Sequence, residues 1–263
     1  SQGSVKCWGA ENNSFGQMSP PEGDFIAVEG LEDTLCGIRS SGGYECWGDK
    51  KSMGNSNEAL SFEQLSVGRL HACAVLASGQ ISCSGTNSDG QLAFPTSSFS
   101  MVSSGAYHFC ALAIDGGIEC WGFDATATAT PPYNTSTPPG TYTSLSSGDC
   151  HNCALTPSGE IYCWGWNEDA DTTICKNHQQ VDDVPTGSGY VFVSSKGNTS
   201  CAIDSSGEAR CWGEKSYSEL FNLIADEEWV EIHVVSNAGC GLTAGGSILC
   251  WGAPGLSVLD VPQ

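Results

Sequence analysis

Two cysteines ten residues apart, with a glycine six residues after the first, recur six times in this chain. The pairs are Cys36 and Cys46, Cys73 and Cys83, Cys110 and Cys120, Cys153 and Cys163, Cys201 and Cys211, and Cys240 and Cys250. If such a pair faces across a β-hairpin, three residues make the turn. A three-residue loop is a type I turn closed by a left-handed residue, and Gly42, Gly79, Gly116, Gly159, Gly207 and Gly246 fill that place without strain. Directly opposed residues of an antiparallel pair lie within disulfide reach. Zinc is the rival use of paired cysteines, but its tetrahedral sites take close Cys-x-x-Cys pairs and this chain repeats isolated ones. Each copy therefore reads as a hairpin stapled by its own disulfide. Five copies end in Cys-Trp-Gly; in one, Ser84 replaces the tryptophan. Cys7-Trp8-Gly9 is the same ending with no beginning.

These endings begin at 7, 46, 83, 120, 163, 211 and 250, a spacing near forty residues that points to a propeller. Another short strand precedes each complete hairpin, opening at Phe25, Phe62, Phe99, Tyr142, Tyr190 and Trp229. In Cys73-Ala-Val-Leu the cysteine and valine point one way, the alanine and leucine the other. Strands apolar on both faces need neighbours on both, and radially packed blades provide them. The expectation is one all-β domain over 1–263, a seven-bladed β-propeller with about three strands per blade and an incomplete first blade. Its units are about 1–24 (partial), 25–61, 62–98, 99–141, 142–189, 190–228 and 229–263. Helical periodicity is convincing nowhere, and Ser218–Trp229 is its one candidate.

Thirty acidic residues against nine basic ones give a formal charge of −21. Such a surface repels phosphate backbones, so nucleic acid is not an expected partner. No run approaches eighteen consecutive apolar residues, so no membrane span is expected in this stretch. Fifteen cysteines in a regular pattern imply an oxidising compartment, and the expected location is extracellular, secreted or at the cell surface. The opening Ser-Gln-Gly shows no signal peptide, which reads as a mature chain whose leader has been removed.

Gly-Arg-Leu-His-Ala-Cys-Ala-Val (68–75), Gly-Ala-Tyr-His-Phe-Cys-Ala-Leu (105–112), the Trp-Gly endings and Asn-Ser-Asp-Gly-Gln-Leu (87–92) resemble regulator-of-chromosome-condensation repeats. Asn13-Ser-Phe-Gly-Gln-Met echoes the last of these. The resemblance covers nearly the whole chain and implies a seven-bladed propeller. The paired cysteines are closest in style to secreted members, such as crinkly-type receptor ectodomains and bacterial secreted propellers. Secreted β-lactamase-inhibitor propellers share the blade pattern but are similar to a cysteine-poor branch. The nuclear nucleotide-exchange role of the founding member is not expected here, because the cysteine usage is extracellular. The departures are Ser84, the missing first half-blade and two long connections.

One long connection, Phe123–Thr141, is rich in Thr and Pro and suits an exposed, O-glycosylated arm or a plain surface loop. The other, Trp166–Gly189, carries Glu168, Asp169 and Asp171, which read as a solvated acidic turn because a calcium loop's glycine and distal glutamate are missing. It also carries Cys175, whose best partner is Cys150, with Cys7 as competitor. Cys7 itself is expected to be unpaired or bridged externally: its hairpin partner would lie before Ser1, with Ser1-Gln2-Gly3 on the turn. The missing strand would come from upstream residues or from another chain. Asn12, Asn134 and Asn198 open glycosylation sequons.

His71, His108 and His151 take the same place in three successive units. Equivalent positions fall on different blades, so no metal site is expected; the resemblance implies a packing histidine hydrogen-bonded within its blade. No nucleophile elbow, zinc-protease helix or phosphate-binding loop is present, and neither an enzyme nor a cofactor is expected. The function expected is an extracellular binding module that recognises a protein or ligand through one face. By resemblance that face is built by the loops between first strand and hairpin: Leu31, Glu32 and Asp33; Arg69, Leu70 and His71; Ala106, Tyr107 and His108; Asp149 and His151; Asn198 and Thr199; Asn237. The alternative is a structural subunit of an extracellular assembly or filament, whose partners are copies of itself; an enzyme comes third.

Overall fold

The structure is a computed structural model that describes residues 3–8, 13–31, 33–49, 60–123, 138–166, 175, 180–214, 226–235 and 238–252. Among these, eighteen strands form six three-stranded antiparallel sheets, each in sequence order. The blades are β1–β3 (Phe25–Leu31, Thr34–Arg39, Tyr44–Gly48), β4–β6 (Phe62–Val67, His71–Leu76, Ile81–Gly85) and β7–β9 (Phe99–Ser104, His108–Ala113, Ile118–Gly122). They continue as β10–β12 (Ser144–Ser147, His151–Leu155, Ile161–Gly165), β13–β15 (Tyr190–Lys196, Thr199–Asp204, Ala209–Gly213) and β16–β18 (Trp229–Val235, Ala238–Thr243, Ile248–Gly252). No described helix is long and apolar enough to cross a membrane. Residues 218–225 of the candidate helix and most of the Thr/Pro-rich connection lie outside the described residues, whereas 226–229 are not helical but a turn leading into the strand that opens at Trp229.

In every hairpin the two cysteines are directly opposed and bridged, from Cys36–Cys46 through Cys73–Cys83, Cys110–Cys120, Cys153–Cys163 and Cys201–Cys211 to Cys240–Cys250. The turn glycines have positive φ, from 77° at Gly159 to 108° at Gly42, where any side chain would be strained. A seventh bridge joins Cys150 to Cys175.

The cores lie between blades. One face of a hairpin meets the first and second strands of the next blade: Cys36, Ile38, Tyr44 and Cys46 pack on Phe62, Leu65, Val67, Ala72 and Ala74. Four equivalent clusters follow, up to the fifth and sixth blades. In three blades the tryptophan of Cys-Trp-Gly ties the preceding connection down, its Nε1 donating to Gln17 O from Trp47 (3.1 Å), to Gln91 O from Trp121 (2.9 Å) and to Gln180 O from Trp212 (3.0 Å). Ser84, which lacks that indole, instead meets the Tyr44 hydroxyl of the preceding blade at 2.9 Å.

Among the described residues the blades number six, not the seven expected. Residues 3–8 and 13–24 contain no strand, because the half-unit holds only a third strand, and a strand without a ladder partner leaves its amides unpaired. The half-unit is nevertheless docked. Phe25 N donates to Gly3 O at 2.8 Å, and Asn13 Oδ1 accepts from Met18 N at 2.8 Å as Asn87 Oδ1 does from Leu92 N at 2.9 Å.

Candidate binding face and axial channel

The loops between first strand and hairpin form a continuous arc over four blades. Arg69 N donates to Ala106 O (3.2 Å), Ala106 N to Asp149 O (3.3 Å) and Asp149 N to Gly197 O (2.7 Å). These loops open with Gly-x-x-His in three blades. The glycine N–H donates to the histidine carbonyl, and a Cβ on Gly68, Gly105 or Gly148 would stand 2.1 Å from the imidazole packed beneath it.

The sequence-derived face divides in two. Arg69 and Leu70 are exposed and Tyr107 is half-buried, whereas His71, His108 and His151 are fully buried and offer a ligand nothing. Two of them hydrogen-bond to the next blade: His108 Nε2 meets Asn152 Oδ1 at 2.9 Å and His151 Nε2 meets Ser200 Oγ at 2.8 Å. The resemblance-based expectation is corrected accordingly, since the inter-blade gap is where an imidazole ring fits. Burial, with His108 adding its charge, holds His71 down to about 4 and His151 down to about 3, so both are neutral packing residues. Leu31, Asp33, Asp149 and Asn198 are half-buried, and Asp33 Oδ1 accepts from Gln17 Nε2 at 3.0 Å. Glu32 and Asn237 lie outside the described residues, as do Asn12, Asn134 and the acidic trio Glu168, Asp169 and Asp171. Asn198 Oδ1 is buried.

Arg69, Tyr107 and Phe123 come together at the surface. Arg69 donates to the Tyr107 hydroxyl at 2.6 Å with its guanidinium 5.8 Å from the Tyr107 ring, and Phe123 meets that ring edge-on at 5.8 Å. Phe123 escapes a sequence reading of the loops because it sits after a third strand, directly behind Gly122.

The first strands line an axial channel of about 270 Å³. Each contributes the residue opposite its first hairpin cysteine: Glu29, Ser66, Ser103, Ser146, Ser194 and His233. The serines stitch blade to blade, accepting from the amides of Ser104 (3.0 Å), Ser147 (2.9 Å), Ser195 (2.8 Å) and Val234 (3.4 Å) respectively. Lys196 occupies the position that is Gly68, Gly105 and Gly148 in other blades. Its Nζ crosses the axis to donate to Val67 O (3.2 Å) and Ser104 O (3.4 Å). Burial lowers its pKa while Glu29 and Asp149 oppose the shift; burial likewise raises that of Glu29, against the pull of Lys196 and His233. Aligning the loops on their cysteines would have flagged Lys196, since a long cation there replaces three glycines. The described residues include no cluster of three or more metal-ligating side chains.

Residues 62–91 and 142–170 match the family model for the regulator of chromosome condensation (RCC1) repeat. No curated protein matches the chain. Among solved structures, the whole ectodomain of the Physcomitrella patens receptor kinase CR4 is similar at 22% identity and TM-score 0.69 over 89% of this chain and 63% of its own, so this chain spans under two thirds of that ectodomain. The crinkly ectodomain of the Arabidopsis thaliana receptor kinase ACR4 follows at 20% identity and TM-score 0.66, with 89% of this chain and 81% of that one covered. Yeast RCC1 (Prp20), solved with Kap60 bound, gives 14% identity and TM-score 0.67 over 87% and 70%. At these identities the likeness is one of fold. Two segments of the chain thus match the regulator-of-chromosome-condensation repeat, and the described residues fold as six disulfide-stapled blades of a β-propeller.

Proposed function

We propose that this chain is an extracellular binding module that engages a protein partner through the patch of Arg69, Leu70, Tyr107 and Phe123. The observation that carries the reading is the packed Arg69–Tyr107–Phe123 cluster, beside a Leu70 that is 42% exposed. Arginine and tyrosine dominate the energetics of protein interfaces. Here they stand on loops tied together by backbone hydrogen bonds, so little ordering is left for binding to supply. Seven disulfides suit an oxidising compartment, and two of the structures of like fold are receptor-kinase ectodomains.

The test compares the protein with its Arg69→Glu and Tyr107→Ala variants for binding to the outer surface of cells of its source, each variant first shown by circular dichroism to keep its strands. Both variants lose binding on this reading. Retention by both, with loss only on reduction of the disulfides, moves the binding site away from this face. Val28 of the first blade, 40% exposed, favours a second reading, a subunit of an extracellular assembly, in which the purified protein polymerises in a sedimentation experiment with no partner present.

A further inference from the structure

The wall of the axial channel repeats one device four times and then departs from it. Ser66, Ser103, Ser146 and Ser194 each accept an amide of the following blade. The two remaining equivalent positions hold Glu29 and His233. His233 Nε2 meets Glu231 of its own strand at 2.7 Å. The Glu29 carboxylate accepts nothing: among the described residues no hydrogen-bond donor reaches it.

A second charge faces the same space. Lys196 stands two residues beyond Ser194, one rung nearer the loops. Its ammonium has three N–H donors, of which Val67 O and Ser104 O take two. Glu29 and Lys196 feel each other's charge, yet among the described residues they form no ion pair. Opposite charges drawn out of bulk water without touching are costly, and each still lacks a partner. The space they face measures about 270 Å³, the share of about nine waters. Val28 and Val235 on its wall are 40% and 50% exposed, so solvent reaches it.

We propose that the axial channel is a binding site for a small zwitterion of the α-amino acid type, whose ammonium meets the Glu29 carboxylate and whose carboxylate takes the remaining Lys196 donor. The ligand's charges then run opposite to those of the wall, and both bonds it makes are charge-assisted. A lone cation is repelled by Lys196 and a lone anion by Glu29, whereas a neutral polyol leaves both charges unpaired. The Ser103 and Ser194 hydroxyls, each already accepting an amide, keep an O–H donor that can turn to the ligand's carboxylate. The volume holds about nine non-hydrogen atoms, which suits a free amino acid. This site lies on the axis, apart from the Arg69–Tyr107–Phe123 patch, and neither needs the other.

The probe is radiolabelled L-alanine, followed by equilibrium dialysis against the purified protein at neutral pH. Uptake should saturate at one molecule per chain, with glycine and L-serine as competitors. Methylammonium acetate offers the same two groups on separate ions, and it should compete about tenfold more weakly, as should glucose. Glu29→Gln, shown by circular dichroism to keep its strands, should weaken alanine binding about tenfold, the worth of one charge-assisted hydrogen bond. Arg69→Glu, in the exposed patch, should leave alanine binding unchanged, so the two readings fail separately. The absence of saturable uptake means a channel that holds water alone, and it overturns the proposal. So does undiminished binding by Glu29→Gln, or glucose binding more tightly than alanine.

Discussion

His71 stands edge-on to Phe109, with ring centroids 4.7 Å apart and planes at 66°, and neither of its ring nitrogens has a hydrogen-bond partner. Its equivalents His108 and His151 each meet a polar side chain of the next blade. What differs is the residue just before the next blade's first cysteine: Asn152 and Ser200 accept or donate, and Phe109 does not. Replacing His71 by Leu keeps most of the volume and removes two unsatisfied buried nitrogens, so stability should hold or rise. His108→Leu takes a partner from buried Asn152 and should cost about 1–3 kcal/mol. Urea midpoints of the two variants read the contrast directly.

The same histidines make stability depend on pH. Their folded values, about 4 for His71 and about 3 for His151, lie below the ordinary 6.5, so the unfolded chain binds more protons in between. The stabilisation is fully present above pH 6.5 and drains away as pH falls towards 4 and then 3, at about 1.4 kcal/mol per pH unit for each histidine. A His151→Gln variant should show a shallower fall in unfolding free energy between pH 6 and 4 than the unmodified protein. Equal slopes would mean that His151 titrates normally in the fold.

Lys196 holds three blades together across the axis through Val67 O and Ser104 O. Lys196→Met strands two carbonyls and leaves Glu29 without its nearby cation, an expected loss of about 2–4 kcal/mol. Glu29→Gln added to that variant should restore part of the loss. A double-mutant cycle by chemical denaturation gives the coupling, and a value of zero would show that the two charges do not sense each other.

The Cys150–Cys175 bridge packs on Trp166, whose carbonyl accepts from Gln180 Nε2 at 3.4 Å, and Gln180 O in turn accepts from Trp212. Removing the bridge as Cys150→Ser with Cys175→Ser should cost about 3 kcal/mol on the loop-entropy account. It should also make Trp166 and Trp212 more accessible to a fluorescence quencher while the far-ultraviolet strand signal persists.

The hairpins were legible in the sequence because every determinant is local: a cysteine, a turn glycine and a second cysteine within eleven residues. The blade count was not. Cys7-Trp8-Gly9 carries a third strand's signature, but a signature does not supply the two strands such a residue run must pair with. The histidine partners were missed for a related reason, since Asn152 and Ser200 are ordinary residues whose role appears only when one blade is set against the next. Arg69, Leu70 and Tyr107 are at the surface, the histidines are beneath it, and Phe123 arrives from a neighbouring turn.

Each hairpin staple joins residues ten apart, and no bridge crosses another; Cys150–Cys175 simply encloses Cys153–Cys163. A polypeptide wired in this way can oxidise in the order in which it is made. Every hairpin can find its own partner before the next has been synthesised, since closing so short a loop is fast and needs no distant segment. Fourteen thiols in random combination present a vast number of wrong pairings, and this arrangement sidesteps them by proximity. Only Cys150 has to wait, 25 residues for Cys175, with a better-placed competitor, Cys163, emerging first.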